Sequence, residues 1–175
     1  MSPRYVYVDE TKRTGYVMAA ASLRDPQAAR RVVRGLILPG QRRVHMVRER
    51  PARKSQIIDA VCAMEVTVTI YDAGRDHESE LAARVACLRA IVTDLKGDDD
   101  AYLTIERDDG LVRHDNRWLI ETTRITDQRD TLHYEHSRAG EEPLLAVPDV
   151  VAWCWTKGGE WRRRVESVVA VVRKV

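Results

Sequence analysis

At 175 residues the chain has room for one domain, residues 1–175, with a sizeable core, and not for two. An apolar fraction of 44% beside a charged fraction of 32% excludes a disordered chain. No apolar run approaches the roughly 20 residues that span a bilayer. The net charge of +2 hides a bias: with only five lysines, 24 of the 29 basic residues are arginine, and Phe is absent. The opening MSPRYVYVDE holds no apolar stretch long enough for a signal peptide, so the expected location is cytoplasmic, away from membranes. Cys62, Cys87 and Cys154 are an odd number among apolar neighbours with no C-x-x-C pair, which reads as buried thiols.

Residues 4–9 (RYVYVD) read as a strand, and 16–23 (YVMAAASL) as a second, antiparallel strand after a turn at Lys12 to Gly15. Asp25-Pro26 pairs an N-cap with proline at the first helical position and predicts a helix to about Gly35. Pro39-Gly40 breaks the chain before a basic stretch, and Pro51 opens a helix to about Met64. Residues 65–71 (EVTVTIY) are β-branched and predict a strand. Apolar positions 81, 85, 88, 92 and 95 give one face of a long helix that Gly97 ends. A strand over 101–106 (AYLTIE) precedes a helix through Trp118 and Ile120, and another strand covers 131–136 (TLHYEH). Leu144 to Trp155 reads as an apolar helix, and Trp161, Val165, Val168 and Val172 line one face of a final helix. The expected fold is therefore α/β, a mixed sheet of about five strands with helices packed on it.

Three carboxylates stand where metal chemistry would place them. Asp9 ends the first strand, Glu106 ends AYLTIE, and Asp149 lies inside the apolar segment LLAVPDVVAWCW. Acids in such places are paired, hydrogen-bonded or coordinated to a cation. Together they suit Mg²⁺ or Mn²⁺, hard ions that take oxygen ligands and keep positions open for phosphate and water. On a strand Asp9 and Glu10 point to opposite faces, so only one of them serves a given site.

The N-terminal YVYVDE with its following strand, the segment Arg43-Val44-His45, and PLLAVPDVVAW resemble domain-of-unknown-function family 3800 over nearly the whole chain. The resemblance implies a ribonuclease H-like fold in which Asp9, Glu106 and Asp149 bind catalytic Mg²⁺ or Mn²⁺. TIERDD is similar to the strand-end glutamate segment of Holliday-junction resolvases of that superfamily. The sequence departs from their pattern at Ala146 and Ala152, where a further helix acid would stand, leaving Asp109 or Glu10 as substitutes.

Residues 30–54 carry nine basic side chains and one acid, Glu49, a track suited to phosphate. Arg42, Arg43, Arg48 and Arg53 are its candidate nucleic-acid contacts, and His45 the candidate for phosphate contact or proton transfer. His133 and His136, three apart on a strand, face opposite sides and do not ligate one ion, while His136 at the strand end could line the site. Trp153, Trp155 and Trp161 read as core between the last helices. P-loop, dinucleotide-binding and serine-hydrolase motifs are missing. The expected function is divalent-metal-dependent phosphodiester hydrolysis, a nuclease acting on DNA or RNA. The alternative is a non-catalytic domain of the same fold that binds nucleic acid or a protein partner, including a partner-dependent defence or toxin–antitoxin component.

Overall fold

The structure is a computed structural model that describes residues 3–175. The strands are β1 (Arg4–Thr11), β2 (Tyr16–Leu23), β3 (Val66–Gly74), β4 (Ala101–Glu106), β5 (Leu132–Ser137) and β6 (Val169–Lys174). The helices are α1 (Pro26–Leu36), α2 (Pro51–Cys62), α3 (Glu80–Asp94), α4 (Val112–Ile125), α5 (Ala146–Lys157) and α6 (Gly159–Val165). One mixed sheet of order β5-β4-β1-β2-β3-β6 carries helices on both faces, so the α/β architecture expected from the sequence is present. β2 runs against both its neighbours, while β4 and β5 run parallel to β1, and β6 to β3.

The local signals act as their chemistry dictates. Asp25 caps α1 by accepting the Ala28 amide at 2.9 Å, and Pro26 fills the first turn. On α3 the buried face includes Val85, Leu88 and Val92, widened by Cys87, Ile91 and a buried Arg84.

Two corrections concern the C-terminal end and the strand number. The spacing of Trp161, Val165, Val168 and Val172 predicts a helix through all four, but α6 stops at Val165. The run VVAVV that follows is β-branched and pairs with the open edge of β3 as β6. Sheet pairing outweighs the helical spacing there, and the sheet has six strands rather than about five.

Each face of the sheet has its own core. One packs Tyr7, Ala19, Val68 and Ile70 against α1, α2 and α5, with Leu144, Val147, Val150 and Val151 at its centre. The other packs Val6, Val8, Met18 and Leu103 against α3 and α4. β1 is central, and its alternation sends Tyr5, Tyr7 and Asp9 to the first face and Val6, Val8 and Glu10 to the second. Among the described residues no helix is long and apolar enough to cross a membrane.

Candidate functional site

β1 and β4 run parallel, with Tyr7 opposite Thr104 and Val8 opposite Ile105. Continuing that register sets Asp9 beside Glu106 on the same face and at the same end of the sheet. Ends of parallel strands are where open α/β sheets gather polar groups. Asp149 reaches the spot from α5. A 3-10 turn, Pro143–Leu145, leads into that helix. Pro148 and Asp149 both fall in its first turn. Proline is tolerated there because its missing amide has no partner to lose. The helix N-terminus also favours the negative charge of Asp149.

These acids line one cavity of about 710 Å³, with Glu10, Lys12, His45, Arg107, Asp109 and Trp153 among its other walls. The carboxyls of Asp9 and Glu106 are hydrogen-bonding neighbours. Burial, then that bond, then the charges of Glu106, Asp149 and Glu10 hold Asp9 well above the usual carboxylate range. Burial also acts on Glu106, but the bond from Asp9 and the Arg43 guanidinium outweigh it and hold Glu106 below its ordinary value. Burial raises Asp149, against the Met46 amide and the nearby His45.

A loop fastened over the acids brings the basic stretch to them. Val44 and Met46 are buried core residues. The Met46 amide donates to Asp149 Oδ2 at 3.0 Å, and Arg43 Nη1 to Glu106 Oε1 at 2.5 Å. Between these anchors His45 lines the cavity, its Nδ1 buried with no hydrogen-bond partner.

A second cavity of about 820 Å³ adjoins the first and shares His45, Glu106 and Arg107 with it. Arg42, Arg43, Arg48 and Arg138 also line it. Arg53 does not join them. Its guanidinium donates to the Leu36 carbonyl and to Gln56, tying α2 to the end of α1.

The structure thus brings together Asp9, Glu106, Asp149, His45, Arg42, Arg43 and Arg48. Glu10 touches the first cavity but lies on the other face of the sheet, where Arg84 holds it at 2.7 Å. Asp109 is exposed and bound by Arg107 and Arg138. His136 points to the second face and meets Asp115 at 2.9 Å, so it does not line the acid cavity. His133 stacks on Tyr102, with ring centres 4.9 Å apart. Trp153 and Trp161 pack edge to face as core aromatics, and Trp153 also walls the acid cavity.

Sequence reading misses Arg107, Arg138 and Trp153 as wall residues. Arg107 and Arg138 each directly follow a strand or its last residue, so the parallel pairing of β4 and β5 would have revealed them. Trp153 lies one helical turn beyond Asp149 and needs only the start of α5 to be known.

Three carboxylates around one cavity match, in chemistry, the oxygen donors that Mg²⁺ or Mn²⁺ takes. Their oxygens are turned to protein partners, and among the described residues no three His, Cys, Asp or Glu side chains are disposed as a ligand set. No protein-family model matches this chain, and none of the curated proteins matches it.

Proposed function

We propose that the protein is a divalent-metal-dependent nuclease of ribonuclease H-like fold that hydrolyses phosphodiesters of DNA or RNA. The observation that carries this reading is the convergence of Asp9, Glu106 and Asp149, from three distant parts of the chain, on one cavity beside a row of arginines. Gathering three acids, one buried and two half-buried, costs stability unless something uses them. The arrangement of β2 antiparallel between β1 and β3, with β4 and β5 parallel to β1, supports the fold assignment.

Asp9, Glu106 and Asp149 would hold Mg²⁺ or Mn²⁺. When bound, such an ion activates a water at neutral pH and offsets charge on the phosphate. Arg42, Arg43 and Arg48 bind and orient the backbone of the substrate, and the positive wall offsets the repulsion between substrate and acids. His45, on the wall of the acid cavity, is placed to exchange a proton with the substrate phosphate or the leaving oxygen.

The test is incubation of labelled single- and double-stranded DNA and RNA with wild type, Asp149→Asn and Glu106→Gln, in Mn²⁺ and in chelator. Cleavage by wild type in Mn²⁺ alone, lost in both variants, is the expected result. Equal cleavage by the variants would remove these acids from the chemistry. One observation favours the alternative of a non-catalytic nucleic-acid- or protein-binding domain: Arg43 already neutralises Glu106. In that case nucleic acid or a protein partner binds with the same affinity in Mn²⁺ and in chelator.

A further inference from the structure

We propose that the arginine-lined cavity is a phosphate subsite, and that a phosphate seated there draws Arg43 off Glu106, so that polynucleotide and divalent cation bind cooperatively. This coupling rests on the reading above and adds to it how the site is completed. Arg42 and Arg48 are exposed on the cavity wall, and among the described residues neither guanidinium has a hydrogen-bond or carboxylate partner. Arg107 and Arg138 come from two different turns and meet at one exposed carboxylate, Asp109, at 2.6 Å and 2.7 Å. With Arg43, five guanidinium groups line the cavity against three carboxylates: Glu106, held by Arg43, Glu49, bound to Gln41 and Arg53, and Glu141. A tetrahedral oxyanion, with several acceptor oxygens, fits planar guanidinium donors of this kind.

Arg43 connects the two cavities. Its carboxylate partner is Glu106, and its side chain, 34% exposed, already lines the second cavity, within reach of an anion there. A cation at the acids and Arg43 compete for the same carboxylate. An anion in the arginine cavity competes for Arg43. Each ligand therefore removes the other's competitor, and by linkage the effect is reciprocal. It also accounts for a set of carboxylates that converge without forming a ligand set while Arg43 holds one of them. Neighbouring phosphates of one strand supply the group cut at the acid cavity and the group held at the arginines, which makes a polynucleotide the ligand.

The test is calorimetric Mn²⁺ affinity of the full chain in sodium chloride, in sodium sulfate at equal ionic strength, and with a short single-stranded DNA. Binding to the DNA alone is subtracted. Wild type, Arg43→Gln and Arg48→Gln are compared after their melting midpoints show each to be folded. Sulfate or DNA should raise wild-type affinity about tenfold, inside the usual range of coupling between sites. Arg43→Gln should bind Mn²⁺ tightly in chloride and lose most of the enhancement. Arg48→Gln removes the same charge without releasing Glu106, so it should keep the chloride affinity and lose part of the enhancement. Enhancement by both anions marks a site for any tetrahedral oxyanion, and enhancement by DNA alone a need for the polymer; both uphold the coupling. Equal wild-type affinity in all three media overturns it, whatever the variants do, and leaves the metal reading standing. No Mn²⁺ bound in any medium overturns both.

Discussion

The backbone amide of Glu10 donates to the Asp9 carboxylate at 2.7 Å, while the two side chains leave β1 on opposite faces of the sheet. Asp9 joins Glu106 and Asp149 in the acid cavity. Glu10 turns to a buried network in which Arg84, 1% exposed, bonds Asp115 through two nitrogens at 2.7 Å and 2.8 Å and Tyr16 at 3.2 Å. One dipeptide thus ties the candidate site to a charged cluster on the far face.

Asp9→Asn should stabilise the metal-free protein at neutral pH. Asparagine keeps the size of the side chain and removes a buried charge that Glu106 and Asp149 oppose. The gain expected is about 0.5–2 kcal/mol, the scale of substitutions that relieve a strained functional group. The sign with pH follows from the raised value of Asp9. Its stabilising contribution is complete below the ordinary carboxylate pKa, about 4, and is lost as pH rises through the higher folded value. Denaturation curves should therefore separate the two proteins near neutrality and converge in acid.

The network behind the site should behave as a structural unit. Asp115→Ala leaves Arg84 buried without its two-nitrogen partner and should cost about 3–5 kcal/mol. The double variant Arg84→Met, Asp115→Leu removes both charges and should recover part of that loss. Chemical denaturation of the three proteins checks this. A double variant no more stable than Asp115→Ala would contradict it.

Arginines expected to act alike from sequence should differ. Arg42→Ala and Arg48→Ala should weaken nucleic-acid binding and reduce the slope of log affinity against log salt by about 0.7–0.9 for each lost phosphate contact. Arg53→Ala should leave that slope unchanged, because its guanidinium is spent on the Leu36 carbonyl, and should cost about 1 kcal/mol of stability instead. Salt titrations of binding with parallel melting curves separate the two effects.

Gly15→Ala should destabilise the fold by roughly 1–3 kcal/mol. Gly15 adopts φ +126°, and a Cβ there would lie 2.8 Å from the Gly74 carbonyl oxygen, which is backbone and has little room to move. The turn it closes also carries Lys12 on the cavity wall, so the same variant should weaken substrate binding.

How much of this was legible in the sequence depends on the range of the interaction. Alternation along RYVYVDE was enough to part Asp9 from Glu10, because strand geometry is local. The caps of α1 and the class of the sheet were legible for the same reason. The grouping of the three acids was read from their places at element ends together with a family resemblance, and the two cavities add where the arginines stand around them. What was hidden depended on pairing between distant segments. β6 forms because β3 offers an edge, and Val172 fits a helical stripe equally well until that edge is known. Arg53 and Arg48 look alike as charges, and only the packing of α1 on α2 gives Arg53 a carbonyl. Nothing in the spacing of Glu10, Arg84, Asp115 and His136 shows that they meet, since they belong to four elements joined by the fold.

The most direct measurement is thermal unfolding of wild type and Asp9→Asn with and without millimolar Mn²⁺, at matched ionic strength and in the presence of sulfate. A ligand raises apparent stability only where it binds the native state. The expected result is a Mn²⁺-dependent rise in the wild-type midpoint that is absent in Asp9→Asn, although the variant starts from the higher midpoint. An equal rise in both proteins, or none in either, would contradict a metal site built on Asp9.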